Sequence, residues 1–472
     1  MIYLFQFTHW QKYIFDALPH FIPEYLLISG ILFLLFLIPF RNFYSLAPYL
    51  AFITLIITSF FVPNSTKEFF NGTIAHSYFY TKVTYISLLG TLITIVFSSL
   101  SLKNILQPEY YIFLLAGQLG IQVIAFSRNW LLSFVAFELV SFVGYFLTLT
   151  LKENKTASVS AVKYFIYGAF SSGVMLYGIS LLYGVYGNLS FGNEWKSLGI
   201  ENVALGLILV GIFFKLTIVP LHFWAPEVYQ GVTAPVGAWL TTVSKMAGIS
   251  FFYAFYSMKV LSFILSFLWG ISAVTMFIGN IGILRQKNIF RLMGFSSIAH
   301  SGFLFMVMII QEPYASSAVW FYVLFSIPIN FLVFYALHQF LQITQNEDFT
   351  EWNGLGKNYP WLAFILVLGL AGLIGLPPTI GFIAKLNLAI AVWNEYLRSH
   401  NLFSLFCLIA FVLNTLFAFA AYSRIPIILL LRTSPKELST KISYHGFFTV
   451  PLVSLIIIFG VYGFDKILQW LL

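Results

Sequence analysis

Charge is scarce in this chain, and cysteine scarcer. Of 472 residues, 8% are charged, and Cys407 is the single cysteine. A water-soluble domain at that charge density would present one continuous apolar surface, which excludes a soluble fold. One thiol forms neither a disulfide framework nor an iron–sulfur cluster within the chain. The runs G-x-x-x-x-G-K-[ST] and G-x-G-x-x-G after a strand are missing, so nucleotide binding has no support. The 24 Lys and Arg exceed 16 acids, but they are scattered between apolar runs, which argues against nucleic acid as a partner. The opening MIYLFQFTHWQKYIF lacks a signal peptide's short apolar core with a small-residue cleavage site, and a transit peptide's Arg/Ser bias. The chain is therefore expected to enter its membrane uncleaved. No linker is long enough to separate soluble domains.

What remains is hydrocarbon: 60% hydrophobic residues, 19% aromatic, mean hydropathy +0.90. A bilayer-spanning helix needs about 20 apolar residues. Apolar spans fall near 24–40, 43–62, 82–102, 110–126, 130–151, 161–187, 203–225, 233–257, 260–284, 290–311, 315–341, 360–397, 401–431 and 446–471. The fold class is an all-α polytopic membrane protein of about 14 transmembrane helices. Loops after odd-numbered spans hold Arg41, Lys103, Lys152, Lys155, Arg285, Lys287, Arg291, Lys357, Arg424, Arg432, Lys436 and Lys441. The other side holds Lys12, Lys67, Lys82, Arg128, Lys196, Lys259, Arg398 and Lys466. That bias, 12 against 8, places both termini on the outer face, and of the 24 cations it leaves 24 − 20 = 4 inside spans.

Two spans are interrupted. The seventh has Pro220 after Lys215, and the twelfth has Gly375-Leu376-Pro377-Pro378 before Lys385. Proline removes a backbone donor and frees a carbonyl, which lipid cannot satisfy. Breaks at corresponding places point to a repeat, and an odd separation of five spans reverses its orientation. The reading is two inverted five-helix repeats, helices 4–8 (residues 106–258) and 9–13 (259–432), after three N-terminal helices (1–105) and before helix 14 (433–472).

The four intramembrane lysines are Lys163, Lys215, Lys245 and Lys385, and Glu138 is read as the one deep carboxylate. In hydrocarbon an ammonium is disfavoured and a nearby carboxylate restores it, so an ion pair that opens and closes can load and unload a proton. Lys215, Lys245 and Lys385 lie near mid-span, too deep to reach the head groups, whereas Lys163 is near a span end and can snorkel. His222 and His300 are candidate relays and His338 a weaker one; Glu227 reads as a structural acid at the first break.

The runs FFKLTIVPLHFWAPEVYQGVTAPVGAWLTTVSK from Phe213, RQKNIFRLMGFSSIAHSGFL from Arg285 and GLPPTIGFIAKL from Gly375 resemble the subunit 2 family of respiratory complex I. This family is an antiporter-like membrane-arm component of proton-pumping NADH:ubiquinone oxidoreductase. The resemblance covers roughly residues 105 to 430, and the sibling subunits and multisubunit cation/proton antiporters are more distantly similar. Glu227 stands where the family more often has aspartate. The resemblance implies a Glu138–Lys215 pair in a first half-channel, Lys245 as central relay and Lys385 as the relay of the second half. His222, His300 and Lys163 would be secondary members. It implies no cofactor in this chain: NADH, FMN, Fe–S clusters and ubiquinone belong to other subunits. Implied partners are a subunit 4-type antiporter-like neighbour, the small membrane subunits and lipid. A subunit of a multisubunit Na⁺(K⁺)/H⁺ antiporter is the alternative. The Phe-, Ile- and Tyr-rich composition leads to the mitochondrial inner membrane as the expected location, with a bacterial plasma membrane or a thylakoid as the alternatives.

Overall fold

The structure is a computed structural model that describes residues 17–102, 107–149, 155–191, 199–256, 265–433 and 445–462. Lys12, Lys103, Lys152, Lys196, Lys259, Lys436, Lys441 and Lys466, used above to orient the chain, lie outside the described residues.

Among the described residues the chain is helical apart from one small hairpin. Helices α1 (Ile22–Leu37) and α2 (Ala47–Phe60) lead into the hairpin, β1 (Lys67–Phe69) paired antiparallel with β2 (Ile74–His76). Then come α3 (Tyr78–Ser101), α4 (Pro108–Phe126), α5 (Trp130–Thr148), α6 (Lys155–Tyr186) and α7 (Gly199–Leu216). Three shorter helices follow: α8 (Trp224–Gly231), α9 (Ala234–Thr241) and α10 (Val243–Tyr256). The rest is α11 (Leu265–Arg285), α12 (Ile289–Met308), α13 (Pro313–Thr344), α14 (Pro360–Ile374), α15 (Ile380–Ser399), α16 (Leu402–Pro426) and α17 (Gly446–Tyr462). Asparagines start three of them: Asn129, Asn288 and Asn401 each accept from backbone N–H groups of the first turn, which otherwise have no partner.

Among the described residues, eleven helical stretches are long and apolar enough to cross a membrane. Three of the spans anticipated from sequence, near 233–257, 360–397 and 446–471, are not among them. The first two are broken into shorter helices, and the third is described only to residue 462.

Loops meet as alternating spans require. At one end the hairpin, Ser127–Asn129 and the 188–191 turn are joined, through Ile74 paired with Ser127 and Asn129 with Ser190. At the other end Asn288 pairs with Asp348, and Arg424 donates to the Leu284 carbonyl. Every loop at the first end follows an even-numbered span, and every loop at the second an odd one.

The core lies between helices, and small residues let backbones meet. A Cβ at Gly279 would sit 2.4 Å from Ala299 N, and one at Gly294 would sit 2.7 Å from Pro226 Cα. Many Phe, Leu and Ile side chains face outward, among them Phe60, Phe170 and Leu416, as lipid or a neighbouring subunit requires.

Candidate functional site

Three breaks organise the middle of the molecule. The first ends α7, where Thr217 adopts φ +59° and the chain turns through Pro220 before α8. The freed carbonyls are re-used: Ile218 N donates to Phe213 O (2.8 Å), and Trp224 Nε1 donates to Phe214 O (3.1 Å). The second separates α9 from α10 at Thr242, whose hydroxyl donates back to Ala238 O at 2.7 Å. Sequence reading missed this one, since TTVSK contains neither Gly nor Pro. The third separates α14 from α15 at Gly375, φ +84°, a conformation only glycine takes without cost.

Each break stands beside a buried lysine. Lys215, 2% exposed, donates to Ser141 Oγ at 3.3 Å and lies 5.9 Å from the Phe137 ring centre. Glu138 is one turn along α5 from Ser141, but its carboxylate takes the hydroxyl of Ser172 on α6. Glu138 and Lys215 are therefore neighbours held apart by hydroxyls, not a closed ion pair; among the described residues the ion pairs are Lys163–Glu227, Arg398–Glu312 and Arg398–Glu395.

Lys245, 4% exposed, donates to the Ser297 carbonyl (2.7 Å) and to Ser301 Oγ (2.6 Å), both on α12. Thr217, at the first break, reaches the same Ser301 at 3.2 Å, so Lys245 is coupled to that break through one hydroxyl. Lys385, 5% exposed, donates to the Ile374 carbonyl at 2.9 Å and sits 4.6 Å from the Phe303 ring centre. Ile374 is the last residue of α14, so the ammonium occupies a helix C-terminus, where the orphan carbonyls and the dipole both favour a cation.

His300 Nδ1 meets Tyr322 OH. A small cavity lies between Lys245, His300, Tyr322, Ser326, Asn330, Gly372 and Gly381, with a volume of about 30 Å³. That is room for about one or two waters. The cavity walls thus run from Lys245 to the break that holds Lys385. His222 is buried in the first turn with no partner at Nδ1. Lys163 stands apart: it donates to Glu227 at 2.6 Å on the side of the bundle, with side chains 45% and 42% exposed, and clamps α6 to α8. His338 contacts Gln342 and lies near Phe97, away from the axis.

The structure adds groups that sequence reading did not name. Ser141, Ser297 and Ser301 supply oxygens to the lysines and Ser172 bonds Glu138, while Thr217 reaches Ser301 and Tyr322 meets His300. Only Ser297 and Ser301 carried a signal, being four apart and so on one helix face. A second deep carboxylate was also missed. Glu24, placed at the edge of the first span, is 5% exposed and accepts from Tyr80 OH at 2.6 Å.

Comparison with known proteins places this geometry in context. The family described as NADH:quinone oxidoreductase/Mrp antiporter, TM, matches residues 127–417. The chain is 32% identical to NADH-quinone oxidoreductase subunit N 2 of Chloroherpeton thalassium, over 94% of this chain and 91% of that protein. It is 34% identical to NADH-quinone oxidoreductase subunit N of Chlorobium chlorochromatii, over 71% and 67%. Among solved structures, respiratory complex I from Thermus thermophilus contains a chain similar at 25% identity with a TM-score of 0.80, covering 94% of this chain and 98% of that one. A chain of the Mrp complex from Dietzia sp. has the same fold at 17% identity and a TM-score of 0.82, covering 96% of each.

Proposed function

The chain belongs to the NADH:quinone oxidoreductase/Mrp antiporter transmembrane family, and on that premise we propose that it is the proton-translocating, subunit N-type component of a membrane-bound NADH:quinone oxidoreductase. The observation that carries the proposal is the set of three buried lysines, each resting on neutral oxygens instead of on a carboxylate. An ammonium held by hydroxyls and carbonyls can give up its proton without leaving a buried carboxylate unpaired. One closed against Glu138 would hold it.

In this mechanism Glu138 swings between Ser172 and Lys215. When it reaches Lys215 the ammonium is favoured; when it returns, Lys215 is free to pass its proton by way of Thr217 and then Ser301 toward Lys245. The cavity beside His300 and Tyr322 carries the proton to Lys385. His222 joins at the first break, and Lys163 with Glu227 is a clamp beside it. Redox chemistry falls to other subunits, which would hold NADH, FMN, the Fe–S clusters and the quinone. The partners are membrane-arm subunits, among them a subunit 4-type neighbour and the small membrane subunits. The two halves are helices 4–8 and 9–13 as read from sequence, with Lys215 and Lys385 at corresponding breaks. The chain is a multi-pass membrane protein. The relatives named above are bacterial, which supports a bacterial plasma membrane, whereas the mitochondrial inner membrane rests on composition alone.

The alternative is a subunit of a multisubunit Na⁺(K⁺)/H⁺ antiporter, favoured by the shared fold of the Dietzia chain. Proteoliposomes holding the assembled complex separate the two. Proton movement that requires NADH and quinone, and falls in Lys215→Met at preserved assembly, supports the first. Cation-driven proton flux without a redox substrate supports the second.

A further inference from the structure

Away from the lysines, α3 carries a polar stripe: Tyr80, Thr84, Ser87, Thr91, Thr94 and Ser98, spaced four and three apart and all fully buried. Such a stripe is common packing glue between membrane helices. Four of its members fit that role, because Ser87, Thr91, Thr94 and Ser98 each donate to a carbonyl of their own helix. Tyr80 and Thr84, nearest the hairpin, do not.

Gln118 on α4 bridges two members of the stripe, donating to Ser87 Oγ at 2.8 Å and accepting from Thr91 at 3.0 Å. Gln122 lies one turn on, on the same face of α4, and is also fully buried, yet neither its oxygen nor its nitrogen has a partner. Because α3 starts and α4 ends at the hairpin, Gln122 falls at the level of Thr84, whose hydroxyl is likewise unpartnered. Next along is Tyr80, which donates to Glu24 Oε1; Glu24 Oε2 has no partner. At the opposite end of this line Trp239 of α9 presses on Gly117, next to Gln118, and its Nε1 is buried without an acceptor. Val243, which opens α10, presses on Gly90 next to Thr91. The line therefore begins beside the Thr242 break, three residues before Lys245, and ends at the face that carries the hairpin.

Unpartnered amide, hydroxyl, indole and carboxyl groups in a row inside a membrane protein are each costly, and water is what satisfies such groups. We propose that this line is a hydrated half-channel between the Thr242 break and the hairpin face, with Glu24 as the carboxyl that exchanges protons at its mouth. It rests on the proton-carrying reading above and supplies that reading with a connection from mid-membrane to the outer side. A proton leaving the region of Lys245 would pass water beside Trp239 and Gln118, then Gln122 and Thr84, and be taken by Glu24, which releases it to solvent near His20 and Lys67. Those two are 3.1 Å apart, and Glu68 and His76 lie on the same hairpin as Lys67.

The test uses the complex that carries this chain, in vesicles, reading protons moved per electron. Gln122→Leu and Glu24→Gln are each expected to lower that ratio as far as Lys215→Met does, with electron transfer still running, and Glu24→Asp to restore it. A role in packing alone would change assembly and leave the ratio of the assembled complex untouched. A normal ratio in Gln122→Leu and Glu24→Gln, with a lowered ratio in Lys215→Met, overturns the half-channel and spares the proton-carrying reading. A normal ratio in all three removes both. If the Glu24 variants do not assemble, density maps of the unaltered complex decide: ordered water against Gln122 supports the half-channel, and an empty gap there overturns it.

Discussion

Two buried polar regions of this molecule are built on opposite terms. Along the lysine axis each ammonium has found an oxygen: Ser141 for Lys215, Ser297 and Ser301 for Lys245, Ile374 for Lys385. Along the α3–α4 line, the Gln122 amide, the Thr84 hydroxyl, the Trp239 indole and one oxygen of Glu24 are without partners. An unpaired buried charge would cost far more than an unpaired amide, so the fold spends its hydroxyls and helix-end carbonyls on the lysines. Uncharged groups can be left for water to complete. Within the axis the two halves also differ. Lys215 rests on Ser141, one helical turn from the Glu138 carboxylate, whereas Lys385 has a carbonyl at a helix end and an aromatic face. In the proposed mechanism the first is switched by moving a charge and the second by moving the break itself.

Lys385→Met and Lys215→Met break that contrast most severely, and each is expected to abolish this chain's contribution to proton movement in the assembled complex. Glu138→Gln separates the halves: it should slow coupled turnover roughly tenfold, about 1.4 kcal/mol on the barrier, while Lys385 still exchanges. Turnover under an imposed proton gradient, compared between the two variants, checks this. If Glu138→Gln behaved like wild type, the first half would not be switched by charge.

Moving the break is the next test. A Cβ at Gly381 would lie 2.0 Å from Gly372 O, across the joint between α14 and α15 and on the wall of the central cavity. Gly381→Ala must therefore push the joint apart, at about 1–3 kcal/mol of overpacking. A lowered thermal midpoint of the solubilised complex, with proton movement reduced more than electron transfer, is the expected result. Ser301→Ala is milder. Lys245 keeps the Ser297 carbonyl and loses one acceptor, so turnover should fall roughly fivefold, for about 1 kcal/mol. Steady-state rates read it directly.

The class of fold was legible because hydrocarbon tolerates few sequences, and 19 or more apolar residues between turn signals leave little choice. The breaks at Pro220 and Gly375 were legible for the same reason, since proline and glycine announce themselves. The break at Thr242 was not. Thr241, Thr242 and Val243 are ordinary helix-tolerant residues, and the departure of the Thr242 backbone from helix, at φ −114° and ψ −77°, carries no composition signal. The lysines could be named because a cation in an apolar run stands out; the serines beside them could not, since serine is common in membrane helices. Glu138 stood out as a carboxylate in an apolar run, but the Ser172 hydroxyl that its carboxylate accepts from, on another helix, has no signal in the sequence around Glu138. Glu24 was passed over because it stood as the first residue of its span, whereas the helix begins two residues earlier and buries it.

The smallest predicted effect sharpens the comparison at its outer edge, where the α3–α4 line meets the hairpin. His76, at the end of β2, is 2% exposed, stacked on Tyr80 at 4.7 Å with 9° between the planes, and edge-on to Phe21 and Phe69. Neither ring nitrogen has a partner. Burial, with His20 adding repulsion, holds the imidazole down at about 4, against an ordinary 6.5. Above pH 6.5 the ring is neutral whether the hairpin is docked or open, so there is no penalty. As pH falls from 6.5 toward 4 the open hairpin takes a proton that the docked one refuses, and docking weakens by at most about 3 kcal/mol. Below 4 both forms are protonated and the loss stops growing. Hydrogen exchange at the amides of residues 67–76 should therefore speed up on acidification across that window in the native chain, and His76→Phe, which fills the same aromatic cage without titrating, should flatten the response. Protection that stays level in the native chain would mean that the ring already titrates as it does in water, and the aromatic cage would then be open to solvent at the very point where the polar line emerges.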